Sequence, residues 1–252
     1  MNTLTKVYVI AAFMLFNPVT GLIGSEPAAM DVMKRVEQNR ESETARSRMT
    51  MSVYPDARNE QDVRHFAIIS YRRGMDDTYM EFVAPRSING LKVLDAGGAT
   101  RVFFPSTGRV RNITGRSRSG SVGGVGGDFS YEDMGGGSLL ETYKDFKITR
   151  TTSSAFIISA VPSDSSSSYS RAVFTVSKDS HIPLEVEYFG RDGELEKRLV
   201  AGNVQKTGGR YVALELTMHN IKNSSKTVIR IAEMEFDTAI DDRYFHPNRF
   251  YR

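Results

Sequence analysis

Four histidines, His65, His181, His219 and His246, are the first side chains to weigh as metal ligands or bases. They fall on different predicted elements and form no H-x-H or H-x-x-x-H pair, so structural or surface roles are preferred to a metal centre. Serine is abundant, but the nearest approach to a nucleophile elbow, Gly115-Arg116-Ser117-Arg118-Ser119, lacks the second glycine and a strand-to-helix context. Nine glycines between Gly115 and Gly137 match neither the Walker nor the dinucleotide-binding spacing. Asp128, Tyr131, Glu132 and Asp133 could be an acid–base group, yet acidic residues opening a short turn or helix are expected from backbone capping alone. The capping reading is preferred, with Phe129 and Tyr131 pinning this segment to the domain. Cysteine is absent, which removes disulfides, thiolate metal sites, thiol nucleophiles and a cysteine-borne lipid anchor. No catalytic residue, metal or cofactor is expected, and the chain reads as a non-enzyme.

The elements that would position any site begin after an N-terminal export signal. Lys6 supplies a charged start, Val7 to Phe16 an apolar run too short to span a bilayer, and Pro18, Gly21, Gly24 and Ser25 a breaker and small residues. Residues 1–25 are read as a cleaved signal peptide and 26–252 as one monomeric domain, exported and released unanchored as a soluble species. A net charge of +3 is too small for a nucleic-acid signature. Arg101, Arg109, Arg111, Arg116 and Arg118 nevertheless concentrate positive charge in one region, either as a solvated loop or as a contact for lipid phosphates or an acidic partner.

Ala29, Val32, Met33 and Val36 recur at helical spacing and predict a helix over Glu26–Arg40, capped by Ser25 with Pro27 in its first turn. Beyond Ser42 the period becomes two. Strands are predicted around Met49–Val53, Val63–Arg72, Thr78–Val83, Lys92–Asp95, Thr100–Phe104 and Tyr143–Arg150. Others follow at Phe156–Val161, Ser170–Ser177, Leu184–Gly190, Leu195–Gln205, Tyr211–Asn220 and Thr227–Asp237. Arg191-Asp192-Gly193 and Thr207-Gly208-Gly209 read as hairpin loops, so the strands form an antiparallel meander that must close or bend around something. The glycine-rich stretch, centred on 115–127, is expected to be a long, exposed, flexible loop.

Three motifs carry a resemblance: FFPSTGRVRNI (Phe103–Ile113), GGDFSYEDM (Gly126–Met134) and, more weakly, PRSINGLKVL (Pro85–Leu94). In order and spacing they resemble the LolA-like family of outer-membrane lipoprotein-sorting proteins, in the branch often found beside RND-type lipid exporters. The resemblance implies a mainly β fold: a strongly curved antiparallel sheet forming an unclosed β-barrel. An N-terminal helix and short helical segments would cover its concave face, as in LolA/LolB-like proteins, with a cavity between. It also implies a periplasmic carrier of lipid or lipoprotein acyl chains, in transient contact with membranes and supplied by an inner-membrane RND-type exporter. Catalysis is no part of it.

Burying a methylene is worth about 0.8 kcal/mol, so a soluble carrier must offer a tail an apolar cavity in place of the bilayer. Methionine suits such a wall because it adapts to guests of varied shape. Met49, Met51, Val53, Phe66, Ile68, Met80 and Phe82 are the expected lining, although alternating apolar residues also build an ordinary core. Arg109, Arg111, Arg116 and Arg118 are the expected partner or headgroup contacts, and Phe129, Tyr131, Glu132 and Asp133 the structural residues of the motif. The rival reading is a non-transporting accessory or envelope-interaction protein of an exporter complex, its apolar face filled by its own side chains.

Overall fold

Period-two alternation continues through nearly the whole chain, and its product in the computed structural model, which describes residues 27–252, is one 13-stranded antiparallel sheet. The first six strands are β1 (Thr44–Tyr54), β2 (Arg64–Arg73), β3 (Asp77–Ala84), β4 (Leu91–Ala96), β5 (Ala99–Phe104) and β6 (Arg109–Ile113). After a long crossing come β7 (Tyr143–Thr151), β8 (Ala155–Pro162), β9 (Tyr169–Ser177), β10 (Pro183–Gly190), β11 (Leu195–Thr207), β12 (Arg210–Asn220) and β13 (Ser225–Phe236). Every neighbour in the sheet is a neighbour in sequence except β1 and β13, which pair with each other. The order therefore runs from β6 through β1, then from β13 to β7.

That order leaves β6 and β7 as the two free edges, so the sheet curls without closing. Register shifts at Arg48/Met49, Ala67/Ile68 and Tyr188/Phe189 mark bulges, and each bulge bends its strand and sharpens the local twist. The mainly β, unclosed architecture is as expected, and the strands match the alternating segments to within a few residues. The exception is β6, where Arg109–Ile113 pairs with β5 rather than opening a loop.

Helix α1 (Ala29–Arg40) starts later than its periodicity suggests: Ala28 is its N-cap, without a side-chain cap, and Pro27 precedes the first turn. Ser25 and the whole export signal, residues 1–25, lie outside the described residues. The apolar stripe holds, with Ala29, Val32, Met33 and Val36 all buried against Ile158, Phe174 and Val176. Fully burying side chains of this size contributes about 1.5–3 kcal/mol each, and Asn39, which donates to the Tyr211 carbonyl and accepts from its N–H, also ties the helix to β12.

Because β6 and β7 sit on opposite edges, the chain between them must traverse the barrel mouth. Residues 114–142 do so along the concave side, through α2 (Tyr131–Met134) and α3 (Leu139–Thr142). The expected exposed loop is thus found only over residues 115–121, which are largely exposed, and not over the stretch that follows. Val122, Val125, Phe129 and Tyr131 are buried in one cluster with Met51, Phe66, Ile68, Met80 and Phe82. Two of its glycines have packing reasons. Gly127 adopts φ +93°, where a Cβ would also meet Val53 Cγ2 and Thr227 Oγ1 at 3.1 Å, and a Cβ on Gly136 would lie 2.8 Å from Thr78 Oγ1.

The convex side of β3 and β4 is sealed by the C-terminal segment. Phe245 and Phe250 cover Tyr79, Leu94 and Ala96, and Tyr244 stacks among Tyr71 and Tyr79 with ring centroids 4.5 and 5.0 Å away. Both faces of this end of the sheet are thus dry, which is unusual for a meander strand and accounts for the near-continuous burial along β4.

Candidate functional site

The concave face is divided in two. Over β1–β5 it is filled by the crossing segment, whereas over β9–β13 it is left open beneath α1 and α3, enclosing a cavity of about 1130 Å³. This exceeds the range of about 300–1,000 Å³ usual for small-molecule sites. Strand alternation puts Phe174, Val186, Leu199, Ala201, Leu216, Met234 and Phe236 on its wall. Leu199, Ala201, Leu216, Met234 and Phe236 are only half-buried. Leu199 and Leu216 also pack against the neighbouring buried clusters, and together these side chains make up the apolar part of the wall.

The sequence-derived lining is brought together, but elsewhere. Met51, Val53, Phe66, Ile68, Met80 and Phe82 are buried in the cluster under Val122 and Val125, with half-buried Met49 packed against it. None of the seven lines the cavity. They are packed because the barrel's two edges force the connection to lie across them. The alternation of Val212 with Leu216, and of Leu199 with Ala201, was a visible signal for the cavity wall. Nothing in the sequence said which half of the sheet would be covered.

The expected contact arginines separate as well. Arg109 and Arg111 are exposed on edge strand β6, Arg111 lying over the Phe104 ring at 5.3 Å, and Arg116 is exposed. Arg118 alone lines the cavity, half-buried, beside Asp95. Burial raises the Asp95 carboxyl above the ordinary carboxylate range, against the opposing pull of Arg118.

The acidic motif is the rivet between crossing segment and sheet. Ser130 and Asp133 form a reciprocal capping box for α2, in which the Ser130 side chain accepts from the Asp133 N–H and the Asp133 carboxylate accepts from the Ser130 N–H. The same carboxylate accepts from Tyr169 Oη at 2.8 Å and Lys197 Nζ at 2.8 Å, the two charged side chains being 2% and 8% exposed. Glu132 accepts from the hydroxyls of Ser167 and Ser168, and Asp128 from Thr227 Oγ1 at 2.8 Å and from Ser225 Oγ. Burial, with the Asp133 charge, holds the Tyr169 hydroxyl protonated well above its ordinary range. Every acid here is engaged in anchoring α2, and the arrangement holds no free base poised over the cavity. Among the described residues no group of three or more His, Cys, Asp or Glu side chains could hold a metal ion, and no helix is long and apolar enough to cross a membrane.

The mouth of the cavity is basic on one side. Arg40 and Arg72 line it near the C-terminal end of α1, with Arg73 close by. Arg72 donates through Nη2 to the Arg40 carbonyl and to Ser42 Oγ, both at 2.9 Å. Desolvation, reinforced by the neighbouring charges of Arg40 and Arg210, pulls its pKa down to about 10.

With this geometry the chain can be set beside known proteins. No curated protein matches it. A family model described as an uncharacterized protein matches residues 74–252. Among solved structures, the chain is similar to a DUF1329 family protein from Desulfovibrio piger (24% identity, 87% of this chain and 96% of that one, TM-score 0.78). It is also similar to an outer membrane lipoprotein-sorting protein domain from Vibrio parahaemolyticus (23% identity, 89% and 100%, TM-score 0.75) and to a LolA superfamily protein from Nitrosomonas europaea (16% identity, 88% and 99%, TM-score 0.73). What is shared is the fold, the unclosed antiparallel sheet. The chain belongs to the uncharacterized family whose model spans residues 74–252, and its fold is that of the LolA-like proteins.

Proposed function

We propose that this protein is a periplasmic carrier that shelters the acyl chains of lipids or lipoproteins in the cavity over β9–β13 and passes them toward the outer membrane. The observation that carries this reading is the half-exposed apolar wall of Leu199, Ala201, Leu216, Met234 and Phe236 beneath α1 and α3. Sheltering on the order of a dozen methylenes is worth about 10 kcal/mol, comparable with what a tail gains in a bilayer. Transfer then needs only sites of similar affinity in sequence, and displacement of a covering helix or of the crossing segment admits the tail. The role asks for no catalysis. An inner-membrane RND-type exporter is the proposed donor and energy source, the membrane contact is transient, and the carrier acts as a monomer. The likeness to a lipoprotein-sorting domain supports the fold on which this rests.

The test is extraction of the purified protein followed by mass spectrometry of bound lipid, together with uptake of a fluorescent fatty acid. An Ala201→Trp variant, which fills the cavity without touching the β1–β5 core, is expected to lower uptake at least about tenfold, the loss of two methylene contacts. Absence of lipid and of uptake in the native protein refutes the carrier reading and leaves the accessory role. Unchanged uptake in a folded Ala201→Trp variant moves the guest out of this cavity.

A further inference from the structure

Around the cavity mouth each cation but two is matched to a carboxylate. Arg40 pairs with Glu37 at 3.2 Å, Arg73 with Asp77 at 2.6 Å and Asp242 at 2.9 Å, and Arg210 with Asp237 at 3.1 Å. Among the described residues Arg118 has no carboxylate within ion-pair distance, but it stands in the field of Asp95. Arg72 has only neutral partners, the Arg40 carbonyl and Ser42 Oγ, and both take the same nitrogen, Nη2. A guanidinium carries five N–H donors in a planar fork suited to carboxylate or phosphate, so Nε and Nη1 are left for another acceptor.

Its placement says what that acceptor would be attached to. In the register, Ala45 of β1 faces Arg72 on one side and Phe236 of β13 on the other, so the three lie in one row on the concave face. Strands are spaced about 4.8 Å apart, which puts Arg72 roughly 10 Å from Phe236. Phe236 opens the apolar wall that continues through Met234 and Leu216. A half-desolvated cation with no carboxylate within ion-pair distance among the described residues, felt by Glu37 only through space, thus borders an unfilled apolar trough.

Resting on the carrier reading, we propose that Arg72 receives the anionic head of a single-tailed amphiphile, a carboxylate or phosphate, while its hydrocarbon tail lies along Phe236, Met234 and Leu216. The depressed basicity of Arg72, caused by desolvation and by Arg40 and Arg210, is what an arriving anion would relieve. Glu37 and Asp77 do not compete, since each is held by its own arginine, and Glu37 also accepts from the Leu139 N–H. Asp95 lies in the same cross-strand row as Arg72, two strands away through Thr78 and so roughly 10 Å off, and is in the field of Arg118.

The test measures displacement of a neutral naphthylamine probe from the full mature chain by palmitate, hexadecyl phosphate and hexadecanol, three ligands with one tail and different heads. A charge-assisted head contact is expected to favour an anionic ligand over hexadecanol about tenfold, and Arg72→Gln to bring that ratio close to one. Whichever anion shows the larger Arg72-dependent preference identifies the head. A ratio near one in the native protein overturns the assignment without need of any variant, as does a ratio that persists in Arg72→Gln. Failure of hexadecanol and both anions to displace the probe refutes the carrier reading itself, an outcome distinct from loss of the head preference alone.

Discussion

Replacing Lys197 by methionine should unfasten the crossing segment from the sheet at a cost that can be worked from the geometry. Lys197 Nζ lies 2.8 Å from Asp133 Oδ2, and the two side chains are 8% and 2% exposed, so water reaches neither charge. Removing one partner of a buried pair usually costs about 3–5 kcal/mol, because the other charge stays buried without compensation. Here the Asp133 carboxylate keeps the Ser130 N–H and hydroxyl and the Tyr169 hydroxyl as donors. The lower end, about 3 kcal/mol, is therefore expected. For a domain of this size that is a fall in Tm of about 6–12 °C. Adding Asp133→Asn to Lys197→Met removes the stranded charge and keeps an amide oxygen for the Ser130 N–H and hydroxyl, with the amide NH2 able to donate to Tyr169 Oη, so the double variant should recover about 1 kcal/mol. Urea denaturation of the four proteins, followed by far-UV circular dichroism, closes the cycle. A loss below 1 kcal/mol in Lys197→Met, or strictly additive single losses, would refute the claim that this pair is a sealed joint.

Two further perturbations probe the frame around the cavity. Phe250→Ala, emptying a site only 1% exposed against Tyr79 and Leu94, should lower stability by about 3–5 kcal/mol; a loss under 1 kcal/mol in urea unfolding would mean the C-terminal segment is dispensable to the sheet. Burial raises the folded pKa of Asp95 above its unfolded value, so between those two values the native state holds the proton more tightly and stability falls as pH rises. Asp95→Asn should accordingly gain more, relative to the native protein, at pH 7 than at pH 3; an equal change at both, by urea midpoint, would contradict that sign.

Much of the frame was legible because it is local. Alternation over Val63–Arg72 or Tyr211–Asn220 needs only one wet face and one dry face, and the stripe Ala29, Val32, Met33, Val36 needs only a turn of 3.6 residues. The edge strand Arg109–Ile113 escaped because its residues are largely exposed, two of them arginines, and its strand character comes from pairing with β5 rather than from any pattern of its own. The capping role of Ser130 and Asp133 was legible from spacing. Their ties to Tyr169 and Lys197 were not, since those partners lie on strands β9 and β11.

By itself the sequence determined an all-antiparallel sheet with one apolar face, a helix to lie against it, and the absence of thiol chemistry. Tertiary structure decided where that face is filled and where it stays open. The pairing of β1 with β13 sends β6 and β7 to opposite edges, and their connection must then cross the concave side, burying Val122 and Val125 over Met51, Met80 and Phe82. The apolar residues that line the cavity, Leu199, Leu216, Met234 and Phe236 among them, lie beyond the part of the sheet that Val122 and Val125 fill, although Leu199 and Leu216 also pack against that cluster. Period-two alternation assigns a side chain to a face of the sheet, but what covers that face depends on the order of strands, a long-range property no local pattern encodes.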